Sequence, residues 1–338
     1  MYPALATEID LSRKCVLGIM DFRYAPYALG DTFTWLTNLQ VVAHSRGGMP
    51  IEIVLVTLPE KPASPMQRHI NSYSYVQILE NLLPAFLTCP SLRNIRVFEN
   101  RKKLSHRLLG AVLARTASWP SLTAHFRGNL DYYTHTKINA FYAEYKTLPR
   151  LRAPFGFHSE TEIFRTKYLA GRIPIIINIR QRALTNDPQA LLRDSAADAW
   201  YKFLTTARSR WPSAFFVIAG GFNEWERRFA ALPNVIIPRM FGFGLGHELT
   251  LLFKGTPFFG SSSGFSAAAT FSNTPYTITN FEHRAAKFVG MPVGTERYPF
   301  ALEHQWLSWK PETEQVLLDL FDRLWEATDD NRKDTKVR

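Results

Sequence analysis

The chain has 338 residues, 46% hydrophobic and 14% aromatic, which is apolar material for more than one packed core and excludes a wholly disordered polymer. No apolar run approaches the roughly 18 residues that cross a bilayer, and two cysteines, Cys15 and Cys89, are too few for a disulfide framework. The net charge of +11 is uneven: residues 90–152 carry twelve lysines and arginines against three acids. Such a field draws lipid headgroups, acidic or phosphorylated acceptors, or nucleic acid.

Met1–Lys14 includes Glu8 and Asp10 and lacks a charged-then-apolar leader pattern, so the expected location is cytoplasmic, with peripheral contact at an anionic inner membrane face. Cys15–Met20 reads as a strand, Asp31–Ser45 as a helix with Leu36, Leu39, Val42 and Ala43 at helical spacing, and Ile51–Thr57 as a second strand. A helix over Tyr75–Leu87, a strand over Ile95–Phe98 and a helix over Lys103–Ala117 follow, then an aromatic-rich stretch. Pro149–Arg172 reads as a hinge, with Pro149, Pro154, Gly156, Gly171 and a short helical signal at Thr161–Ala170.

The second half alternates more regularly. Its strands are expected at Pro174–Asn178, Ala214–Ala219, Asn234–Ile237, Thr256–Gly260 and Pro275–Thr279. Helices are expected between them at Asp194–Arg210, Asn223–Ala231, His247–Phe253 and Ser263–Ser272. Short β-branched or aromatic runs alternating with helices predict a parallel sheet wrapped by helices, an α/β fold. The expected domains are 1–165, 166–310 and a final segment 311–338, whose helix Glu312–Trp325 crosses back toward the first domain.

The sharpest chemical signal is Gly260-Ser261-Ser262-Ser263-Gly264, which ends a strand and opens a helix of small residues. Such a turn offers unpaired N–H groups and hydroxyls to a phosphate. The plainer reading makes Ser263 a simple N-cap. Next, the strand Pro174–Asn178 runs into Arg180 and Arg182 at the sheet edge where ligands of doubly wound sheets collect. An arginine there suits a departing diphosphate; the alternative is a basic loop paired with Asp187. Gly30-Asp31 opens the first helix, with Asp31 either N-cap or catalytic acid-base group. Gly220-Gly221-Phe222 reads as a loop that approaches a flat ligand such as a base, and Phe241-Gly-Phe-Gly-Leu-Gly-His247-Glu248 behaves similarly.

These pieces together resemble GT-B glycosyltransferases. His247–Asn280 resembles the donor-binding strand–helix–strand of heptosyltransferase-like enzymes, and Asn178-Ile-Arg180 is similar to the His-x-Arg stretch of α1,6- and protein O-fucosyltransferases. Asn178 stands where those enzymes commonly carry histidine, and no second arginine directly follows Arg180. The resemblance implies a GT-B-like fold of two Rossmann-like domains. It also implies a nucleotide-diphosphate-sugar donor, GDP-sugar favoured, with no metal or other cofactor. By that resemblance Arg180, Ser261, Ser262 and Ser263 would bind its phosphates; the residues' own pattern adds Arg182, Gly264, Gly30, Gly220, Gly221 and His247 as donor-site candidates. The acceptor would be a glycan, lipid-linked or anionic hydroxyl. Its base would come from the N-terminal domain, among Asp31, His135, His158 and Glu160. Three other readings stay open: a nucleotide-sugar epimerase, a non-catalytic sugar-binding protein, and a nucleic-acid-binding protein using residues 90–152. The Ser/Gly helix start argues against the last, so no nucleic-acid partner is expected.

Overall fold

The computed structural model describes residues 15–57, 71, 74–98, 104, 111, 116–127, 134–181, 194–221 and 224–336. The chain divides into two compact units, Met1–Pro149 and Arg150–Arg338.

In the first unit, β1 (Val16–Asp21) leads to α1 (Leu29–His44), β2 (Ile51–Val56), α2 (Tyr75–Phe86), β3 (Leu92–Phe98), β4 (Ala117–Trp119), α3 (Leu122–Arg127) and α4 (Thr136–Tyr145). The sheet runs β3-β2-β1-β4 and every pairing is parallel. All six residues of β1 and of β2 are buried, as expected of parallel strands covered on both faces. Gly18 lets α1 lie close on this sheet: a Cβ there would stand 2.4 Å from Leu39 and 2.9 Å from Trp35. The basic segment 99–103 and Arg107, Arg115, Tyr132 and Tyr133 lie outside the described residues, as does most of the helix expected at Lys103–Ala117. Ala117 itself belongs to β4, a strand whose three residues are too few to show a period.

The second unit begins with Leu151 N–H bonded to Phe271 O and with the Arg150 guanidinium on the carbonyls of Thr270, Ser272 and Phe300. Its elements are α5 (His158–Tyr168), β5 (Ile173–Asn178), α6 (Ala197–Arg210), β6 (Ala214–Ile218), β7 (Val235–Ile236), α7 (Leu245–Phe253), β8 (Phe258–Ser261), α8 (Gly264–Thr270), β9 (Tyr276–Thr279), α9 (His283–Val289), β10 (Gln305–Leu307) and α10 (Glu314–Lys336). The sheet order is β10-β9-β8-β5-β6-β7, all parallel. Counted from β5, this is the 3-2-1-4-5-6 order of dinucleotide-binding folds, with its switch point between β5 and β8. The stretch expected as helix Asn223–Ala231 is described as a 3-10 helix over Arg227–Ala231.

α5 packs within the second unit, where the sequence reading placed residues up to 165 in the first: Lys254 of α7 pairs with Glu162, and His247 with Glu160. The apolar face of the final helix packs within the second unit. Leu317, Leu318, Phe321 and Leu324 are buried with Trp200, Phe203 and Leu204 of α6 in the second unit's own core. Its polar side continues that docking through Glu314 to Thr206 and Asp322 to Arg210. Asp31 is no N-cap: α1 starts earlier, with Ala28 at the cap position and Asp31 in the first turn. No helix among the described residues is long and apolar enough to cross a membrane.

Candidate functional site

The switch point of the second sheet is built by two strand ends. β5 is a run of isoleucines that stays buried through Asn178 and Ile179 and delivers Arg180 at the carboxyl edge. β8 pairs beside it, Asn178 against Gly260, and turns at Ser262 into α8. Gly260 is required by this packing, since a Cβ would stand 2.8 Å from Asn178 O.

Arg180 and the serine turn meet there. Arg180 Nη1 donates to Ser262 O at 3.2 Å, and Nε lies 3.9 Å from Asp194 Oδ1. The backbone of Arg180 is tied to the start of α6: its N–H donates to Ser195 Oγ at 3.1 Å, and Ser195 N–H to its carbonyl at 2.7 Å. Arg180 is 8% exposed, so its cation is held largely away from water. Its acidic neighbour is therefore Asp194; Asp187, named in the alternative reading, lies outside the described residues, as does Arg182.

The three serines separate. Ser261 is fully buried and its Oγ faces Asn178 O at 3.5 Å, so it serves the sheet. Ser263 is the N-cap of α8, accepting from Ser266 N–H at 3.3 Å while Ser266 Oγ accepts from Ser263 N–H at 2.8 Å. Its plainer reading as a cap is correct. Ser262 and Gly264 remain half-buried at the edge beside Arg180. Asn178 also has structural work: its Nδ2 donates to Ala219 O at 2.8 Å, across to the end of β6.

The Gly220-Gly221 turn adjoins this edge, but its N–H groups are taken by the protein's own carboxylates. Gly220 N–H donates to Glu248 Oε1 at 3.2 Å and Gly221 N–H to Glu224 Oε2 at 3.0 Å. A ligand can therefore meet the surface of this turn but not those two donors. Glu248 is completely buried and clasped by Arg239, Nε at 3.0 Å and Nη2 at 2.9 Å. Burial pushes the Glu248 carboxyl up; Arg239 and the Gly220 N–H oppose that shift.

His247 accepts the Gly244 N–H through Nδ1 at 3.2 Å and meets Glu160 through Nε2 at 2.6 Å. Two sequence candidates are thus each other's partners, and Glu160 is largely exposed. His158 stands exposed two residues before Glu160 on α5. Neither lies in the first unit, where a base was expected. His135 does, but burial pushes its imidazole down to about 3, too weak a base for neutral pH. Asp31, half-buried in the first turn of α1, is the remaining candidate of that unit, and Gly30 lies inside the helix beside it.

Sequence reading missed the Arg239–Glu248 pair and Asp194. Glu248 was detectable: an acid beside Leu249, Leu251 and Leu252 in a short apolar helix needs a buried partner. Nothing local marks Arg239 as that partner.

Solved structures resemble this chain over nearly its whole length, two of them as follows. A glycosyl transferase of family 9 from Veillonella parvula matches with a TM-score of 0.55 and 12% identity, covering 93% of this chain and 97% of that one. The E. coli heptosyltransferase WaaC, solved with ADP, matches with a TM-score of 0.50 and 10% identity, covering 91% and 99%. The fold is of the GT-B type. No protein-family model matches the sequence, and no curated protein does. At these identities the likeness establishes the GT-B architecture; residue roles rest on the geometry above.

Proposed function

We propose that this chain is a glycosyltransferase that moves a sugar from a nucleotide-diphosphate donor to an acceptor hydroxyl. The observation that carries the reading is the meeting of Arg180 and Ser262 at the switch point between β5 and β8, where sheets of this order bind their ligands. The likeness to glycosyltransferases along nearly the full chain supports it.

In this reading the donor's diphosphate sits against Arg180, Ser262 and Gly264, and the nucleoside end lies over the Gly220-Gly221 turn. Arg180 exchanges its bond to the Ser262 carbonyl for the phosphate oxygens and neutralises the charge that builds as the glycosidic bond breaks. With that charge met by a guanidinium the transfer is metal-independent. Asp31 accepts the acceptor's proton, and the sugar is transferred with inversion. The basic stretch 90–152 selects a glycan, lipid-linked or anionic acceptor, at the face of an anionic membrane where the acceptor is lipid-linked.

A thermal-shift panel of GDP, UDP, ADP and CMP with a control oligonucleotide tests the donor class. GDP is the favoured base from the fucosyltransferase-like stretch; ADP enters because it occupies the heptosyltransferase structure. A nucleotide present at one hundred times its Kd stabilises the native chain by about 2.7 kcal/mol. A shift with the oligonucleotide and none with any nucleotide would overturn the transferase reading.

A further inference from the structure

The edge of the second sheet holds a buried ion pair that the proposed transfer does not itself use. Glu248 has no exposed side-chain surface, and Arg239 grips it with two nitrogens at 3.0 and 2.9 Å. Glu248 is taken out of water altogether and Arg239, 23% exposed, only in part; burying such a charge costs several kcal/mol, and an apolar pair of similar size commonly stabilises a core as well or better. Stability alone is therefore a poor reason for the pair. What a clamped carboxylate supplies is direction: the Arg239 fork fixes its plane, and Oε1 then receives the Gly220 N–H at 3.2 Å.

Gly220 is the point where this direction matters. Its φ is +127°, and a Cβ would stand 2.4 Å from Glu224 Oε2 and 3.0 Å from Asn178 Nδ2. The turn is thus pinned on three sides: by Asn178 of β5 on Ala219 O, by Glu224 on the Gly221 N–H, and by Glu248 of α7 on the Gly220 N–H. Asn178 lies two residues before Arg180, so the same strand carries the turn's anchor and the phosphate-side cation.

We infer that Glu248, oriented by Arg239, is a positioning residue that holds the Gly220-Gly221 turn in register with Arg180 for the nucleoside end of the donor. The inference rests on the proposed donor site and deepens it. Glu248 touches no ligand; it acts through the backbone of Gly220.

The test measures binding of two probes, the nucleotide diphosphate that stabilises the wild type and inorganic pyrophosphate, to the full chain and its variants. Glu248→Gln keeps the shape and removes the charge that orients the bond. It should raise the nucleotide Kd and the donor KM about 10-fold, the scale set by weakening one charge-assisted hydrogen bond. The kcat at saturation should stay within about 2-fold, and pyrophosphate binding should be unchanged, because Arg180 is untouched. Arg239→Lys keeps a cation beside Glu248 but removes the two-pronged grip that orients it, and should show the same split, so it carries the test if Glu248→Gln fails to fold. Nucleotide affinity equal to wild type in the folded variants, or equal loss of both probes, overturns the positioning role while leaving the donor site standing. A wild type that binds neither probe overturns the donor site and this inference with it.

Discussion

Buried polar groups are satisfied in different ways at the carboxyl edge of the second sheet and on α1 of the first unit. At the carboxyl edge of the second, charged and polar side chains reach across elements: Arg180 to Ser262 and Asp194, Asn178 to Ala219, Arg239 to Glu248, and Glu312 to Thr279 and Ala196. Beside the first sheet, the buried polar groups of α1 are neutral and bond mostly to their own helix. Thr32, Thr34, Thr37 and Asn38 donate to the carbonyls four residues back. The difference separates two uses of polarity. Self-satisfied hydroxyls let α1 sink against Gly18 and the sheet at little desolvation cost. Cross-element bonds instead fix the mutual positions of strand ends, which is what a ligand site requires.

The largest expected effect tests whether the two units are energetically separate. Phe321 of α10 is fully buried, with ring centroids of Trp211 at 4.7 Å, Phe259 at 5.3 Å and Phe203 and Phe216 at 5.4 Å. Phe321→Ala should cost about 3–5 kcal/mol. Hydrogen exchange read by mass spectrometry should place that loss in β5, β6, α6 and α10, with β1 and β2 unaffected. An equal loss in β1 and β2 would mean that the units unfold as one, and their buried polar groups could not be compared as independent designs.

Function at the second edge is probed next. Arg180→Ala should lower turnover about 100-fold or more while circular dichroism stays native, because the variant removes charge stabilisation and not core. Wild-type turnover in a folded Arg180→Ala protein would remove Arg180 from the mechanism and reduce the second edge to a structural network.

How much of this was legible in the sequence follows the same division. The second sheet declared itself because its strands are short apolar runs set between helices, and β5 in particular is a string of isoleucines ending in Asn178 and Arg180. β4 and β10 were invisible: each is three residues long, and pairing with β1 or β9 makes them strands, not their own period. The serine turn was found, but which of its serines face outward was not. Ser261, Ser262 and Ser263 are chemically identical, and only the register against Asn178 and the cap on Ser266 separate them. Asp31 was placed one role away from its position because the tight Tyr24–Ala28 segment starts α1 at Leu29, a turn geometry its composition did not announce.

Acid should pull the two units in opposite directions, a smaller effect that sharpens the comparison. Burial pushes His135 in the first unit from 6.5 down to about 3. The unfolded chain therefore takes up a proton that the folded chain refuses, and stability falls as pH drops below about 6.5, with a limiting slope near 1.4 kcal/mol per pH unit. Glu312 in the second unit is raised above 4.5 by burial, so the folded chain holds its proton more tightly there. That contribution is fully present below about 4.5 and is lost as pH rises through the raised value. Exchange-derived stabilities at pH 7, 6 and 5 should show the first unit losing more than the second, and His135→Gln should flatten the first unit's slope alone. The same slope in wild type and His135→Gln would mean that the imidazole is not what makes the first unit acid-sensitive.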